Sequence, residues 1–169
     1  KVTENVSLAY APIEKGCLFS GYGMRTRGGG YRRLHKGLDL AHWYPVDIYA
    51  GGDGVVLEAH YRHDYGNMVL IDHGDSVYSR YAHLDFFADG IEVGAKLKAG
   101  DILGDMGTSA AKPVGRHLHY EILMGEYHTP YKSFGLTPLN ITSLPSAIEG
   151  ERYMVLDTVV VSVSLNTTT

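Results

Sequence analysis

The chain has 169 residues, of which 44% are hydrophobic and 20% are charged. That length and balance are typical of one globular domain with a single core, and they exclude an intrinsically disordered chain. The net charge of −4 gives no reason to expect a nucleic-acid partner, because nucleic-acid binding calls for a basic surface. No apolar run is long enough to cross a membrane, so we expect no membrane span in this chain.

The cysteine content and the first residues bear on the compartment. Cys17 is the only cysteine, which excludes an intrachain disulfide and a cysteine-based zinc site. A lone cysteine slightly favours a cytosolic protein over an exported one. The chain begins at Lys1 without an initiator methionine or a signal-peptide core. We interpret it as a mature or excised fragment whose targeting segment lies outside it.

The first half of the chain predicts short strands joined by turns, which suits its 21 glycines and 13 tyrosines. Residues 1–15 carry little signal. The segment 16–34 is rich in glycine and arginine, and it predicts a long, mobile loop beside a binding site. Tyr49–His60 predicts a turn followed by a strand.

The second half predicts further strands and no helix. Gly66–His73 and Ser76–Leu84 are two β-rich runs, and Gly74–Asp75 between them indicates a hairpin. Residues 91–103 predict strand and turn, and His117–Met124 predicts another strand. Since no stretch shows a sustained apolar period of 3.6 residues, we predict a mainly β fold, a single-domain antiparallel sheet or sandwich.

The two ends are predicted to extend one core domain. We expect an N-terminal extension at 1–15, a core at 16–128 and a C-terminal extension at 129–169 that belongs to the same domain. Tyr153–Leu165 is a strong strand candidate in that last segment. We interpret it as a final strand or as an extension towards a partner.

A His-x-His pair is the strongest chemical signal in the chain. On a strand, His117, His119 and Glu121 point to one face, while Leu118 and Tyr120 point to the other. Two imidazoles would then project side by side from a rigid element. A lone His-x-His pair is more often structural than functional, so the interpretation depends on what lies elsewhere.

Upstream, His35 and Asp39 stand four residues apart, with Gly37 between them. Imidazole nitrogen and carboxylate oxygen are both good zinc ligands, and a catalytic zinc takes three protein ligands and keeps a fourth position for water. His35, Asp39 and either His117 or His119 would complete such a set, leaving the other strand histidine unbound. His83, at the end of a predicted strand, is a second candidate for an unbound helper.

Six motifs follow one another in a recognisable order. They are HKGLD at 35–39, DGVV at 53–56, YGNMVLIDHG at 65–74, YAHL at 81–84, GDMGT at 104–108 and HLHYE at 117–121. In order and approximate spacing they resemble the lysostaphin/LytM-type zinc endopeptidases, which cut peptide bridges in bacterial cell walls. The resemblance covers residues 16–124. It implies a small antiparallel β-sheet domain with a long groove walled by loops.

Carried over by position, the resemblance makes His35, Asp39 and His119 the ligands of one Zn²⁺ per chain. It makes His83 and His117 the two unligated catalytic histidines. All five positions hold the expected residue type, which favours an active enzyme over relatives that have lost ligands and only regulate other hydrolases.

The chain departs from the usual family pattern in two segments, Thr108–Arg116 and Ala41–Ile48. Both departures bear on substrate preference rather than on the chemistry. Residues 20–25 and 32–39 resemble the corresponding segments of enzymes from Gram-negative envelopes, and this resemblance favours the D-alanyl–diaminopimelate crosslink. The alternatives are a glycyl-glycine endopeptidase, a catalytically silent wall-binding or activator module, and a zinc hydrolase of non-wall substrates.

The resemblance further implies an exported protein of the bacterial periplasm or cell envelope. Its partners would be the stem and crosslink peptides of peptidoglycan, and we expect a monomer. The chain has no His-Glu-x-x-His motif, so histidines must handle the protons. One of His83 and His117 would remove a proton from water and the other would stabilise the oxyanion; the residues leave open which does which.

Several other side chains have two interpretations. Glu121 is either an acceptor for the second N–H of His119 or a solvated carboxylate at the groove rim. Tyr22, Tyr31 and Tyr81 either line the groove or pack in the sheet. Similarly, Arg25 and Arg33 either pair with a carboxylate of the stem peptide or belong to a solvated loop.

Overall fold

The computed structural model describes residues 2–8, 11–14, 17–26, 28–30, 32–112, 114–128, 135–139 and 161–167. The strands are β1 (Val2–Leu8), β2 (Cys17–Ser20), β3 (Gly23–Thr26), β4 (Arg32–His35), β5 (Leu38–Ala41), β6 (Asp47–Tyr49), β7 (Gly54–Arg62), β8 (Gly66–Asp72), β9 (Val77–Phe87), β10 (Lys96–Leu97), β11 (Ile102–Met106), β12 (Leu118–Met124), β13 (Thr137–Pro138) and β14 (Val161–Thr167). A short 3₁₀ turn covers Gly28–Gly30. Over these ranges the chain forms no α-helix. Accordingly, none of the described residues belongs to a helix that is long and apolar enough to cross a membrane.

One large antiparallel sheet organises the molecule. Its main path runs β10-β7-β8-β9-β12-β5-β2, and β11, β6 and β13 join it at the side. The strands β3 and β4 pair separately as a hairpin. The predicted mainly β, antiparallel fold is therefore confirmed.

The sheet is buried on both faces near its centre. On β8, Val69 and Ile71 belong to the larger hydrophobic cluster, whereas Met68 and Leu70 belong to a smaller cluster on the opposite face. On β12, Leu118 belongs to the larger cluster. Because alternate residues of a strand point to opposite faces, the intervening side chains of β12 point to the face of the smaller cluster. His119 and Glu121 of β12 therefore lie on that face.

Most predicted strands are present, with small shifts at their ends. The β8–β9 hairpin is confirmed, and its turn places Gly74, Asp75 and Ser76 at φ values of 86°, 54° and 62°. The strand predicted within Tyr49–His60 appears as β7. Strand β12 begins at Leu118, so His117 immediately precedes the strand and does not lie in it.

The prediction of one long loop at residues 16–34 is wrong. This segment contains β2, β3 and β4, each only four residues long. A four-residue strand contains at most two alternations between apolar and polar residues. The glycines and arginines of the segment obscure even this short pattern. The β2 strand is fixed by pairing with β5.

Strands near the two ends of the chain pair with each other. β1 and β14 align antiparallel from Val2–Thr167 to Leu8–Val161. Residues 161–165 of the predicted strand Tyr153–Leu165 lie in β14, and the rest of that prediction lies outside the described residues. The proposed division at 1–15, 16–128 and 129–169 stays a prediction. Leu8 and Ile13, from the predicted N-terminal extension, are buried in the larger cluster.

A glycine allows β5 to pack closely beside β12. A Cβ on Gly37 would lie 2.1 Å from the Tyr120 carbonyl oxygen, far inside van der Waals contact. The backbone between His35 and Asp39 therefore passes directly against β12. This contact, rather than a bend alone, explains the glycine in the His-x-x-x-Asp segment.

Candidate metal centre and groove

Three strands bring the candidate metal-binding residues together. His35 is the last residue of β4, Asp39 lies in β5 and His119 lies in β12. Asp39 and His119 are direct partners across the β5–β12 pairing. The sheet therefore joins residues that are 80 positions apart in the sequence.

The three side chains converge at atomic distances. Their candidate ligand atoms all lie within 4.8 Å of one another. Asp39 Oδ1 is 2.8 Å from His119 Nδ1 and 3.1 Å from His35 Nε2. His35 Nε2 is 3.3 Å from His119 Nδ1. All three residues are buried, so the cluster is part of the folded interior and is not a chance contact between surface side chains.

The remaining ring nitrogens define which atoms face the centre. His35 Nδ1 donates to the Gly21 carbonyl oxygen at 2.7 Å, which leaves Nε2 directed at the cluster. His119 Nε2 donates to Glu121 Oε1 at 2.8 Å, which leaves Nδ1 directed at the cluster. Metal-binding histidines in proteins usually donate their second N–H to a carbonyl or carboxylate in this way.

Among the protein groups themselves, the electrostatics of the cluster favour ionised Asp39 and Glu121 carboxylates and a protonated His119. Burial alone would lower the pKa of His119, but hydrogen bonds and charge from Asp39 and Glu121 raise it to about 9. Burial opposes ionisation of Glu121, but the hydrogen bond from His119 and the charge of Arg80 bring its pKa down to about 2. Burial likewise opposes ionisation of Asp39, yet hydrogen bonds from the two histidines hold its pKa well below the usual range. A metal ion bound at His119 Nδ1 would therefore displace the proton from this nitrogen.

Glu121 is buried behind the cluster and does not lie at the groove rim. Its side chain is fully inaccessible. Besides His119, it accepts hydrogen bonds from the Tyr65 hydroxyl at 2.6 Å and from Arg80 Nη1 at 2.8 Å. The Tyr65 ring stacks on His119 with centroids 5.7 Å apart, and the Arg80 guanidinium lies 4.6 Å from the Tyr65 centroid.

The sequence interpretation missed Tyr65 and Arg80. Tyr65 lies within a family motif, but its position in the motif does not reveal its contact with Glu121. Arg80 had a visible signal, because it is a cation in the middle of the predicted apolar strand Ser76–Leu84. A buried cation needs a buried partner, and Glu121 is that partner.

Replacing Glu121 with Gln should weaken metal binding without removing it. The amide keeps the shape and can still accept from His119, but it removes the negative charge that Arg80 and Tyr65 orient. Outer partners of this kind typically contribute about 10–100-fold to metal affinity. Competition titration with a zinc chelator measures the change. An unaltered affinity in a folded Glu121→Gln protein would contradict the role given to this carboxylate.

Two further histidines lie beside the cluster. The His83 and His117 ring centroids are 4.8 Å apart, and His83 is 6.2 Å from His119. His117 Nε2 lies 3.7 Å from Asp39 Oδ1. The structure thus brings all five predicted site residues into one group.

Backbone carbonyls orient both of these rings. His83 Nδ1 donates to the Ser109 carbonyl oxygen at 2.8 Å, and His117 Nδ1 donates to the Gly115 carbonyl oxygen at 2.7 Å. Each ring therefore has its Nε2 available for chemistry. Burial lowers the pKa of His83 to about 4, so it is neutral at physiological pH. His83 also has a φ of 67°, a left-handed conformation uncommon for a side chain of this size.

The cluster opens into a groove of about 450 Å³. The groove is lined by the five predicted site residues and by Tyr65 and Glu121. Tyr81 does not line the groove, because it is buried in the core, where its hydroxyl accepts from Gly51 N at 2.7 Å. Tyr31 lies outside the described residues.

Comparisons with known proteins agree with this geometry. The model of peptidase family M23 matches residues 33–130. The chain is 33% identical over 99 residues to peptidoglycan DD-endopeptidase ShyC of Vibrio cholerae serotype O1, which covers 59% of this chain and 22% of that protein. It is 31% identical over 134 residues to the L-Ala–D-Glu endopeptidase of Bacillus subtilis strain 168, covering 76% of this chain and 39% of that protein.

A solved structure is similar as well. A zinc-containing peptidase from Vibrio cholerae superposes with a TM-score of 0.61 at 27% identity, covering 69% of this chain and 37% of that one. The chain spans about a fifth of the length of ShyC and about two fifths of the Bacillus protein. Since the family match includes more than half of the residues, the chain belongs to peptidase family M23.

Proposed function

We propose that this chain is the catalytic part of a zinc-dependent endopeptidase that hydrolyses peptide crosslinks of bacterial peptidoglycan. The observation that carries the proposal is the convergence of His35 Nε2, Asp39 Oδ1 and His119 Nδ1 in a groove. His83 and His117 stand beside them with free Nε2 atoms. Family membership and the names of the relatives support the same activity.

The donor set fits one Zn²⁺. Two imidazole nitrogens and one carboxylate oxygen are a common protein ligand set for catalytic zinc. The similar solved structure is described as zinc-containing. When bound, zinc polarises the scissile carbonyl and makes water a better nucleophile near neutral pH.

The two unligated histidines divide the proton chemistry. The N–H of His83 is committed to the Ser109 carbonyl and its ring is neutral, so its Nε2 can only accept. We assign proton removal from the attacking water to His83 Nε2. His117 Nε2 lies close to Asp39 Oδ1, and in the protonated form it would donate to the oxyanion.

A more specific proposal concerns which peptide bond the protein cleaves. Relatives named as DD-endopeptidases support cleavage of the D-alanyl–diaminopimelate crosslink. The Bacillus relative, which aligns with more of this chain, supports an L-alanyl–D-glutamyl bond as the second candidate. Either substrate places the protein's action in the bacterial cell envelope, where we expect it to work as a monomer.

Incubation with intact peptidoglycan tests the proposal. The zinc-loaded protein and a His119→Ala control are mixed with diaminopimelate-crosslinked and glycine-bridged peptidoglycan, and mass spectrometry identifies the products. Loss of crosslinked dimers from the first substrate is the expected result. Glycine fragments from the second would support a lysostaphin-like enzyme instead. No product from either substrate, with zinc bound, would reject the wall-endopeptidase activity of this chain.

A further inference from the structure

The groove has one basic wall, formed by the β3–β4 hairpin. Arg25 and Arg33 are direct partners across this hairpin, and Lys36 follows its second strand. All three residues line the groove. Arg33 and His35 lie two residues apart on β4, so they point to the same side of the hairpin as the metal centre.

Two guanidinium groups directly opposite each other on paired strands repel. The basic wall contrasts with the whole chain, which carries a net charge of −4. A bound anion between the two arginines would relieve the repulsion. Arg25 is also held in place, since its Nη1 donates to Ser20 Oγ at 3.0 Å and lies 3.9 Å from Asp39 Oδ2.

The carboxylates that line the groove are already engaged within the protein: Asp64 with Arg62 at 2.9 Å, Glu121 with Arg80 at 2.8 Å and Asp39 with His119 at 2.8 Å. In the part of the chain that the structure describes, neither Arg33 nor Lys36 takes part in an ion pair. Both side chains are exposed to the groove. Their charges are therefore available to a substrate.

We propose that Arg25, Arg33 and Lys36 form a carboxylate subsite that reads the residue supplying the scissile nitrogen. The inference rests on the proposed function, because it assumes that a peptide bond is cleaved at the metal centre. The α-carboxylate of that residue is two bonds from the scissile nitrogen. Arg25 Nη1, 3.9 Å from a metal-centre oxygen, is close enough to meet it. Arginine binds carboxylates through two parallel hydrogen bonds, which fixes orientation as well as charge.

This chemistry defines a class of substrates. In a D-alanyl–diaminopimelate crosslink, the carbon attached to the scissile nitrogen carries a free carboxylate. The same holds for an L-alanyl–γ-D-glutamyl bond, because the glutamate continues through its side chain. Inside a glycine bridge the corresponding carboxyl group is itself in a peptide bond and carries no charge. The subsite therefore selects the first two bonds against the third.

Matched synthetic peptides test the subsite. Each of the two candidate bonds is made in two forms, with a free carboxylate or a carboxamide on the residue that supplies the scissile nitrogen. N-acetylated and C-amidated pentaglycine, which carries no free carboxylate, serves as the uncharged comparison. The zinc-loaded protein should cleave at least one carboxylate peptide with a kcat/KM roughly tenfold or more above its carboxamide form. The bond that shows this preference tells whether the subsite binds the carboxylate of diaminopimelate or that of D-glutamate.

Arg33→Gln is the informative variant, and Arg32→Gln is its matched control. Arg32 lies on the same strand but alternates in direction with Arg33, and it pairs with Thr26 instead of an arginine. Arg33→Gln should lower kcat/KM for the carboxylate peptide by about tenfold and leave the carboxamide peptide unchanged. The control should leave both rates unchanged, and Arg33→Lys should restore part of the preference.

The outcomes separate the subsite from the activity. Equal cleavage of both peptide forms, or an equal loss on both with Arg33→Gln, overturns the subsite while the endopeptidase proposal stands. If no peptide is cleaved although zinc is bound, the endopeptidase proposal fails. The subsite is then judged by calorimetric binding of the same peptides. Equal binding of the carboxylate and carboxamide forms rejects it.

Discussion

The Asp39→Ala protein is expected to lose its metal and, with it, all measurable peptidoglycan hydrolysis. Asp39 Oδ1 lies between His35 Nε2 and His119 Nδ1, so its removal leaves two imidazoles without their shared anion. Loss of a ligand should cost more than loss of an outer partner, which is worth about 10–100-fold in affinity. Zinc content after dialysis, measured by atomic emission, and release of crosslinked dimers together report the result.

Asp89→Ala is a suitable control for this experiment. Asp89 is an exposed acidic residue in the turn after β9 and does not line the groove. Its replacement should leave the zinc content and turnover of the protein unchanged. If the Asp39→Ala protein instead retained stoichiometric zinc at a similar affinity, the assignment of the metal centre would be wrong.

His117→Ala should give the opposite combination, with zinc retained and turnover lost. His117 contacts the cluster from outside, with its Nε2 at 3.7 Å from Asp39 Oδ1, and its Nδ1 donates to the Gly115 carbonyl oxygen. Groups that move protons typically contribute about 10²–10⁴-fold to the rate. We expect a loss of that size in kcat, measured on a soluble crosslinked peptide. A His83→Ala protein should behave in the same way.

The exposed His128 provides the control for both histidine variants. Its ring lies near Glu126 and is not part of the groove lining, so His128→Ala should keep full activity. Near-full activity in the His117→Ala protein would show that this ring has no part in the reaction. Loss of zinc from either variant would mean instead that the ring helps to hold the metal.

The chemistry of the site was easier to predict than its surroundings. Residue type and spacing point to His35, Asp39 and either His117 or His119, and the resemblance of the ordered motifs to the zinc endopeptidases narrows the choice to His119. Whether the Glu121 side chain is buried or solvated depends on the residues that pack over it, and the sequence leaves both interpretations open. Burial against Tyr65 and Arg80 settles that Glu121 lies behind His119.

The remaining errors have physical causes. The strands β2, β3 and β4 are too short to show a clear period, so residues 16–34 were predicted as a loop. Pairing with a neighbour stabilises them more than their own propensity does. The left-handed backbone at His83 has no counterpart in the sequence, since neither a glycine nor an asparagine marks it.

The carboxylates on either side of His119 give the metal-free protein a distinct pH dependence. The raised pKa of His119 stabilises the fold fully below about 6.5 and loses that contribution as the pH rises through about 9. The lowered pKa of Glu121 stabilises it above about 4.5 and loses that contribution as the pH falls towards about 2. Thermal unfolding of the protein after its metal is removed by a chelator should therefore show the greatest stability between about pH 4.5 and about pH 6.5. A melting temperature that keeps rising up to pH 9 would contradict this expectation.

Because the pKa of His119 is raised to about 9, a proton on its Nδ1 would occupy the position that the proposed metal ion would take. That proton would join Asp39 to the imidazole of His119 at 2.8 Å. On the proposed assignment, zinc and the proton would compete for His119 Nδ1, so zinc occupancy would depend on both the free zinc concentration and the pH. Acidification alone would then lower the fraction of the protein that carries the proposed metal.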